Sequence, residues 1–200
     1  MPSISHSHAP LKPLEKVMIF IDGGYLRKLF NDLFKDDDID FLALKRDLLK
    51  WYNTIPTNLF RANLVRTYYY DGIVNEKDEE FEQQSEYFEL LKKRNFFLDV
   101  VLGEAVRSSD GTLRQKGVDI LMAIDALTMA SGDHYDSGFF LLGDRDFIPL
   151  VRAVKDLGKK TFGFFYMEDV SMELKLTFDF RTAFNERLMK KWLIKNQKTS

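Results

Sequence analysis

Apolar residues fall into short unbroken runs separated by longer stretches with helical spacing. Val17-Met18-Ile19-Phe20-Ile21 is continuous and stops at Asp22-Gly23-Gly24. Similar runs cover Ala62 to Tyr70, stopped by Asp71-Gly72, then Phe96 to Leu102, Phe139 to Leu142 and Thr161 to Tyr166. A run apolar at every position suits a strand covered on both faces of a parallel sheet. Between the runs the spacing predicts helices over Tyr25 to Leu33, Asp40 to Trp51, Glu76 to Arg94, Val118 to Ala130, and Phe147 to Leu157 with Gly158 as its C-cap. Val118 to Ala130 is apolar nearly all round, which predicts a central, buried helix. Gly103 to Gly117 reads as a loop or short hairpin with Asp110-Gly111 as its turn. Phe184, Leu188 and Trp192 fall on one face of a basic terminal helix. Strands alternating with helices predict an α/β fold: a mainly parallel central sheet of about five strands with helices on both faces.

The 200 residues suit one domain with a substantial core, preceded by a flexible arm over residues 1–15. The domain proper spans 16–168. Residues 169–200 form an extension whose amphipathic helix docks on the same domain, on a second subunit or on a protein partner. No internal repeat or Gly/Pro-rich linker interrupts the chain.

A net charge of −2 means that any polyanion must meet a local basic patch. The absence of cysteine excludes disulfides, thiolate metal sites and cysteine nucleophiles, and is compatible with a reducing cytoplasm, the expected location. No apolar run reaches the roughly 18 residues that a membrane span needs, so no membrane partner is expected. His6 and His8 lie in the amino-terminal arm, and His134 lies in a polar loop.

The candidate chemistry lies where apolar runs meet carboxylates. Asp22 follows one strand and Asp144 another, so in a parallel sheet both emerge at the carboxyl edge, where open α/β sheets bind ligands. Asp146 lies two residues further on, and Asp119 opens the helix that follows the hairpin. Carboxylates within about 4–6 Å disfavour each other's ionised forms. A divalent cation with oxygen ligands is the natural counter-charge, and such an ion supports phosphodiester cleavage. Each acid also has a structural reading: Asp146 or Asp119 as a helix cap, Asp22 as a turn aspartate. Capping by Asp146 leaves Asp144 unexplained. Asp125 lies about 240° around the helix from Asp119, so it is a supporting rather than a coordinating candidate.

Ile19-Phe20-Ile21-Asp22-Gly23-Gly24-Tyr25-Leu26, Lys116-Gly117-Val118-Asp119 and Leu142-Gly143-Asp144-Arg145-Asp146-Phe147 resemble the NYN domains of the PIN-like nuclease superfamily, in particular the LabA-like (DUF88) branch. The resemblance runs from about Val17 to Tyr166. It implies a Rossmann-like PIN fold and a ribonuclease site in which Asp22, Asp119, Asp144 and Asp146 hold Mg²⁺ or Mn²⁺. That family often has Asn where Tyr25 stands, and commonly Ser where Arg145 stands. Tyr25 and Asp125 are then supporting residues. Arg107, Arg114, Lys116 and Arg145 are candidates for phosphate contacts with RNA. A catalytically silent scaffold on the same fold is the alternative, and a phosphatase or nucleotide hydrolase using the same metal chemistry is a third.

Overall fold

The continuous apolar runs become strands of one sheet. The computed structural model of the protein describes residues 13–35, 38–55, 60–109, 111–166 and 170–194. In chain order the elements are β1 (Leu14–Asp22), α1 (Gly23–Phe34), α2 (Phe41–Thr54), β2 (Arg61–Val74), α3 (Phe81–Arg94), β3 (Leu98–Arg107), β4 (Leu113–Lys116), α4 (Val118–Ser131), β5 (Ser137–Leu141), α5 (Ile148–Asp156), β6 (Lys160–Tyr166), α6 (Met172–Thr177), β7 (Phe180–Phe184) and α7 (Glu186–Met189). A 3-10 turn at Arg145–Phe147 leads into α5. Residues 1–12 of the expected arm and Asp110 of the expected turn lie outside the described residues. Residues 13–15 do not belong to an arm, because β1 begins at Leu14.

The sheet order is β4-β3-β2-β1-β5-β6-β7, and every neighbouring pair except β3–β4 is parallel. The α/β class and mainly parallel sheet follow the sequence pattern, but there are seven strands rather than five. One extra strand, β4, is the return arm of a hairpin in which Glu104 faces Lys116 and Arg107 faces Leu113. The other, β7, was hidden by helical spacing. Phe180 and Phe184 lie on the strand, and Phe180 stacks on Phe162 of β6 with ring centroids 4.9 Å apart. The expected terminal helix is reduced to the single turn α7. Trp192 lies beyond it, fully buried, and its Nε1 donates to Asp47 Oδ2 at 3.0 Å. Phe184 and Trp192 therefore pack into the chain's own core, which removes them as a docking face for a second subunit.

Alternating strand residues feed two cores. Ile19, Ile21, Tyr69, Phe139 and Phe164 face α1, α2 and α3, whereas Phe20, Tyr70, Phe140 and Phe165 face α4, α5 and α6. The three consecutive tyrosines follow this alternation: Tyr69 is buried in the first core, Tyr70 in the second. The central position predicted for α4 is not observed. It is an outer-layer helix that buries the stripe Val118, Met122, Ala126, Ala130 and leaves Ile120 64% and Ile124 56% exposed. An all-round apolar sequence permits complete burial, but a helix on the outside of a three-layer fold has only one face to bury. Among the described residues no helix is long and apolar enough to cross a membrane.

Candidate functional site

Because β1, β2 and β5 are parallel, their ends deliver acids to one edge. Asp22 ends β1 and caps α1, its Oδ1 accepting from the Tyr25 amide at 2.9 Å. It is therefore a helix cap rather than a plain turn aspartate, and the cap aims the carboxylate along the sheet edge. Asp144 follows β5, and its Oδ1 accepts from the Asp146 amide at 2.9 Å to cap the 3-10 turn. The capping role thus belongs to Asp144 rather than Asp146. Asp119 sits in the first turn of α4, whose N-cap is Gly117 with φ 76°, so Asp119 does not cap that helix.

Asp22, Asp119 and Asp144 line one cleft of about 860 Å³ together with Tyr25, Lys28 and Gln115. Asp146 is exposed and stands outside that lining. Burial pushes the Asp22 carboxyl from the usual 3.8 up to about 7; Asp119, Asp71 and Asp144 add to the rise, and the Tyr25 amide opposes it. Burial likewise raises Asp119, with Asp144 and Asp146 contributing. The acids therefore lie within one another's fields. Among the described residues, no group of three or more His, Cys, Asp or Glu is placed to hold a metal ion. Two close approaches shape the walls. A Cβ on Gly24 would fall 2.6 Å from the Gln115 amide nitrogen, and one on Gly143 would collide with the Tyr25 ring. Tyr25 crosses Gly143, and its hydroxyl oxygen accepts from the Tyr166 amide at 3.1 Å, bracing α1 against β6.

The family model for the NYN domain matches residues 16–183. The chain belongs to the NYN domain family. This places it within the PIN-like nuclease superfamily and ends the match inside β7, beyond the limit at residue 168 expected for the domain. The fold of this NYN domain is similar to the crystal structure of a protein of unknown function from Vibrio parahaemolyticus, with TM-score 0.60 and 20% identity over 86% of this chain and 94% of that one. Among curated proteins there is no match.

The remaining candidates divide. Asp125 accepts from the Tyr70 hydroxyl at 3.1 Å, a supporting contact away from the cleft lining. Arg145 lines the cleft and lies 3.8 Å from Glu173. Arg107 is drawn aside by Asp78 at 3.3 Å and Glu80 at 3.0 Å. Arg114 and Lys116 are exposed residues of β4 whose neighbours Leu113 and Gln115 take the cleft side. Strand alternation directs Arg114 and Lys116 to the other face. Reading this segment as a loop or short hairpin left its register, and with it that parity, open.

Lys28, Asp32 and Gln115 of the cleft lining, and Asp71 behind it, were missed. Lys28, one turn into α1, lines the cleft. Asp71, fully buried near the end of β2, accepts from Arg27 Nε and Nη2 at 2.7 and 2.8 Å, from the Tyr69 hydroxyl at 2.9 Å, from the Gly72 amide at 2.7 Å and from Gln115 Nε2 at 2.6 Å. The signal was an acid ending an apolar run, as at Asp22. Asp71-Gly72 was read as a strand stop, whereas β2 continues to Val74.

Proposed function

We propose that this NYN domain is a metal-dependent ribonuclease of the LabA-like branch, acting in the cytoplasm and hydrolysing RNA phosphodiester bonds in the cleft at the carboxyl edge of the sheet. One observation carries the reading: Asp22, Asp119 and Asp144 line a common cleft, and among the described residues none of them forms an ion pair with a lysine or arginine. The donor set is all oxygen, which suits Mg²⁺ or Mn²⁺. Mg²⁺ keeps several waters and needs only one or two direct carboxylates, so an open arrangement fits it better than a closed cage would. Asp22, Asp119 and Asp144 would hold the ion, with Asp146 at the margin. An ion held there would contribute positive charge against the phosphate and an activated water.

The protein's own groups do the rest. Asp22, with a carboxyl near 7, holds a proton in the metal-free cleft and releases it when a cation displaces it. Lys28 and Arg145 line the same cleft as the acids and offer donors to phosphate oxygens. Tyr25 and Gln115 close the walls, Gln115 being held in place through its amide by Asp71.

Purified protein is expected to cleave single-stranded RNA with Mn²⁺ or Mg²⁺, and Asp144→Asn is expected to lower the rate by a factor of 10² or more, on the scale of losing one electrostatic stabiliser. Cleavage that survives Asp144→Asn would remove the cleft as its source. The lack, among the described residues, of any group of three or more such side chains placed to hold a metal ion favours a second reading, a silent RNA- or protein-binding scaffold. Calorimetric titration with Mn²⁺ separates the two, since a scaffold binds no ion that depends on Asp22 and Asp144.

A further inference from the structure

At the opposite edge of the sheet, the segment joining α3 to β3 holds two phenylalanines out of the core. Phe96 is 85% exposed and Phe97 62%, and neither ring packs on another aromatic ring among the described residues. This is a fixed presentation. The Phe96 carbonyl accepts from Lys45 Nζ at 2.8 Å, the Phe97 carbonyl accepts from the Thr67 amide at 2.8 Å, and Asn95 Nδ2 donates to the Leu91 carbonyl at 3.0 Å. Lys45 is itself nearly buried. Phe97 has φ 56°, a left-handed conformation that disfavours a bulky side chain. Strain of this kind persists where surrounding contacts fix it, and it concentrates at functional sites.

The rings border a groove of about 870 Å³ floored by Leu42, Leu49 and Leu64. Lys45, Arg46, Lys50 and Arg94 line it, and no carboxylate does. Arg94 also reaches Asp38 at 3.5 Å, whereas Arg46 and Lys50 form no ion pair among the described residues. In a chain of net charge −2 this is a local positive strip beside open aromatic faces.

We infer that this groove is a second binding surface, for single-stranded nucleic acid: bases stack on Phe96 and Phe97, and phosphates lie along Arg46, Lys50 and Arg94. Aromatic faces combined with a cationic groove bind single strands with little regard to sequence. The cations line a concavity, which tracks a chain better than it meets a flat lipid surface. The surface does not depend on hydrolysis in the cleft, from which it is separated by the length of the strands.

The test is fluorescence anisotropy with labelled oligo(U) and oligo(dT) in EDTA, where no cleavage occurs. Phe96→Ser is expected to weaken binding about tenfold. Arg46→Gln is expected to reduce the slope of log affinity against log salt by about 0.7. Phe97→Gly removes the left-handed strain, so it raises Tm by about 2–4 °C while weakening binding. A merely structural role for Phe97 does not give that opposition. Unchanged affinity in both phenylalanine variants overturns the proposal, as does Phe96-dependent binding to anionic vesicles or to an acidic peptide without binding to either oligonucleotide. Should the cleft prove inactive on RNA, the oligonucleotide arms still decide the question.

Discussion

The two ends of the one sheet treat their acids in opposite ways. At the amino end, Glu15 is buried, accepts from the Ser137 hydroxyl and pairs with Lys160 at 2.7 Å. Asp133 pairs closely with Lys159, and Asp179 pairs with Lys155 at 2.9 Å and accepts from Thr161. At the carboxyl end, Asp22, Asp119 and Asp144 share a cleft without such partners. Asp71 makes the difference instructive, because it lies at the same end and is neutralised by Arg27. The fold is thus able to supply a cation at this edge, and it does so one strand away from Asp22. The fully buried Asp71 is matched internally, whereas the acids opening on this cleft are left for a ligand to match.

The largest expected effect comes from removing the cation that faces the buried Asp71. Arg27→Met removes a two-point contact from a carboxylate with no access to water. Breaking one side of a buried pair typically costs about 3–5 kcal/mol. Arg27 is 28% exposed, so water relieves part of this and about 3 kcal/mol is expected by urea unfolding. Gln115, which donates to Asp71, would then be held by a carboxylate that has lost its cation, so RNA cleavage should fall even at temperatures where the variant remains folded. A cost below about 1 kcal/mol would erase the distinction between matched Asp71 and unmatched Asp22.

Asp22→Asn is expected to act with the opposite sign. The folded carboxyl holds its proton to about 7, while the unfolded one loses it near 3.8. Between those values the folded state binds more protons, so stability falls as pH rises from about 4 to 7 and is level above that. The full rise corresponds to at most ~4 kcal/mol; water at the cleft mouth brings the expected gain from Asn to about 1–2 kcal/mol at pH 8, with none at pH 3.5. Asn still caps α1. Thermal unfolding in EDTA across this range checks the sign. Adding Mn²⁺ should then stabilise the parent protein and leave the variant unmoved.

Much of this was legible before any coordinates. Val17 to Ile21 running into Asp22, and Phe139 to Leu142 running into Asp144, place acids at strand ends, and parallel pairing places those ends together. What was lost was information that periodicity does not carry. Arg27 and Asp71 are 44 residues apart, and no local pattern pairs them. The parity of Arg114 and Lys116 became visible only once the segment was a strand. Phe180 to Phe184 alternates as an edge strand should, yet Phe184, Leu188 and Trp192 also fit a helix face. Sheet addition beside β6 settled the competition in favour of the strand. For α4, composition indicated apolarity but could not say how many neighbours were available to cover it.

The smallest expected effect tests the amino end. Lys160→Met removes the cation from Glu15, and with it a contact over the Phe60 ring at 4.4 Å. Glu15 keeps the Ser137 hydroxyl as a donor, and Lys160 is 44% exposed, so solvent already weakens the pair. About 1 kcal/mol of destabilisation is expected, well short of the Arg27→Met cost because the lysine is more open to water and the contact is a single one. The loss should shrink as salt is raised, since a pair open to solvent on one side is partly screened. Mn²⁺ binding at the other edge should be unchanged, because Glu15 and Asp22 lie at opposite ends of β1. If Lys160→Met instead alters the Asp22-dependent Mn²⁺ response, the two ends are electrostatically linked through the strand they share. The cleft's unmatched charge would then be a property of the whole sheet rather than of its carboxyl edge.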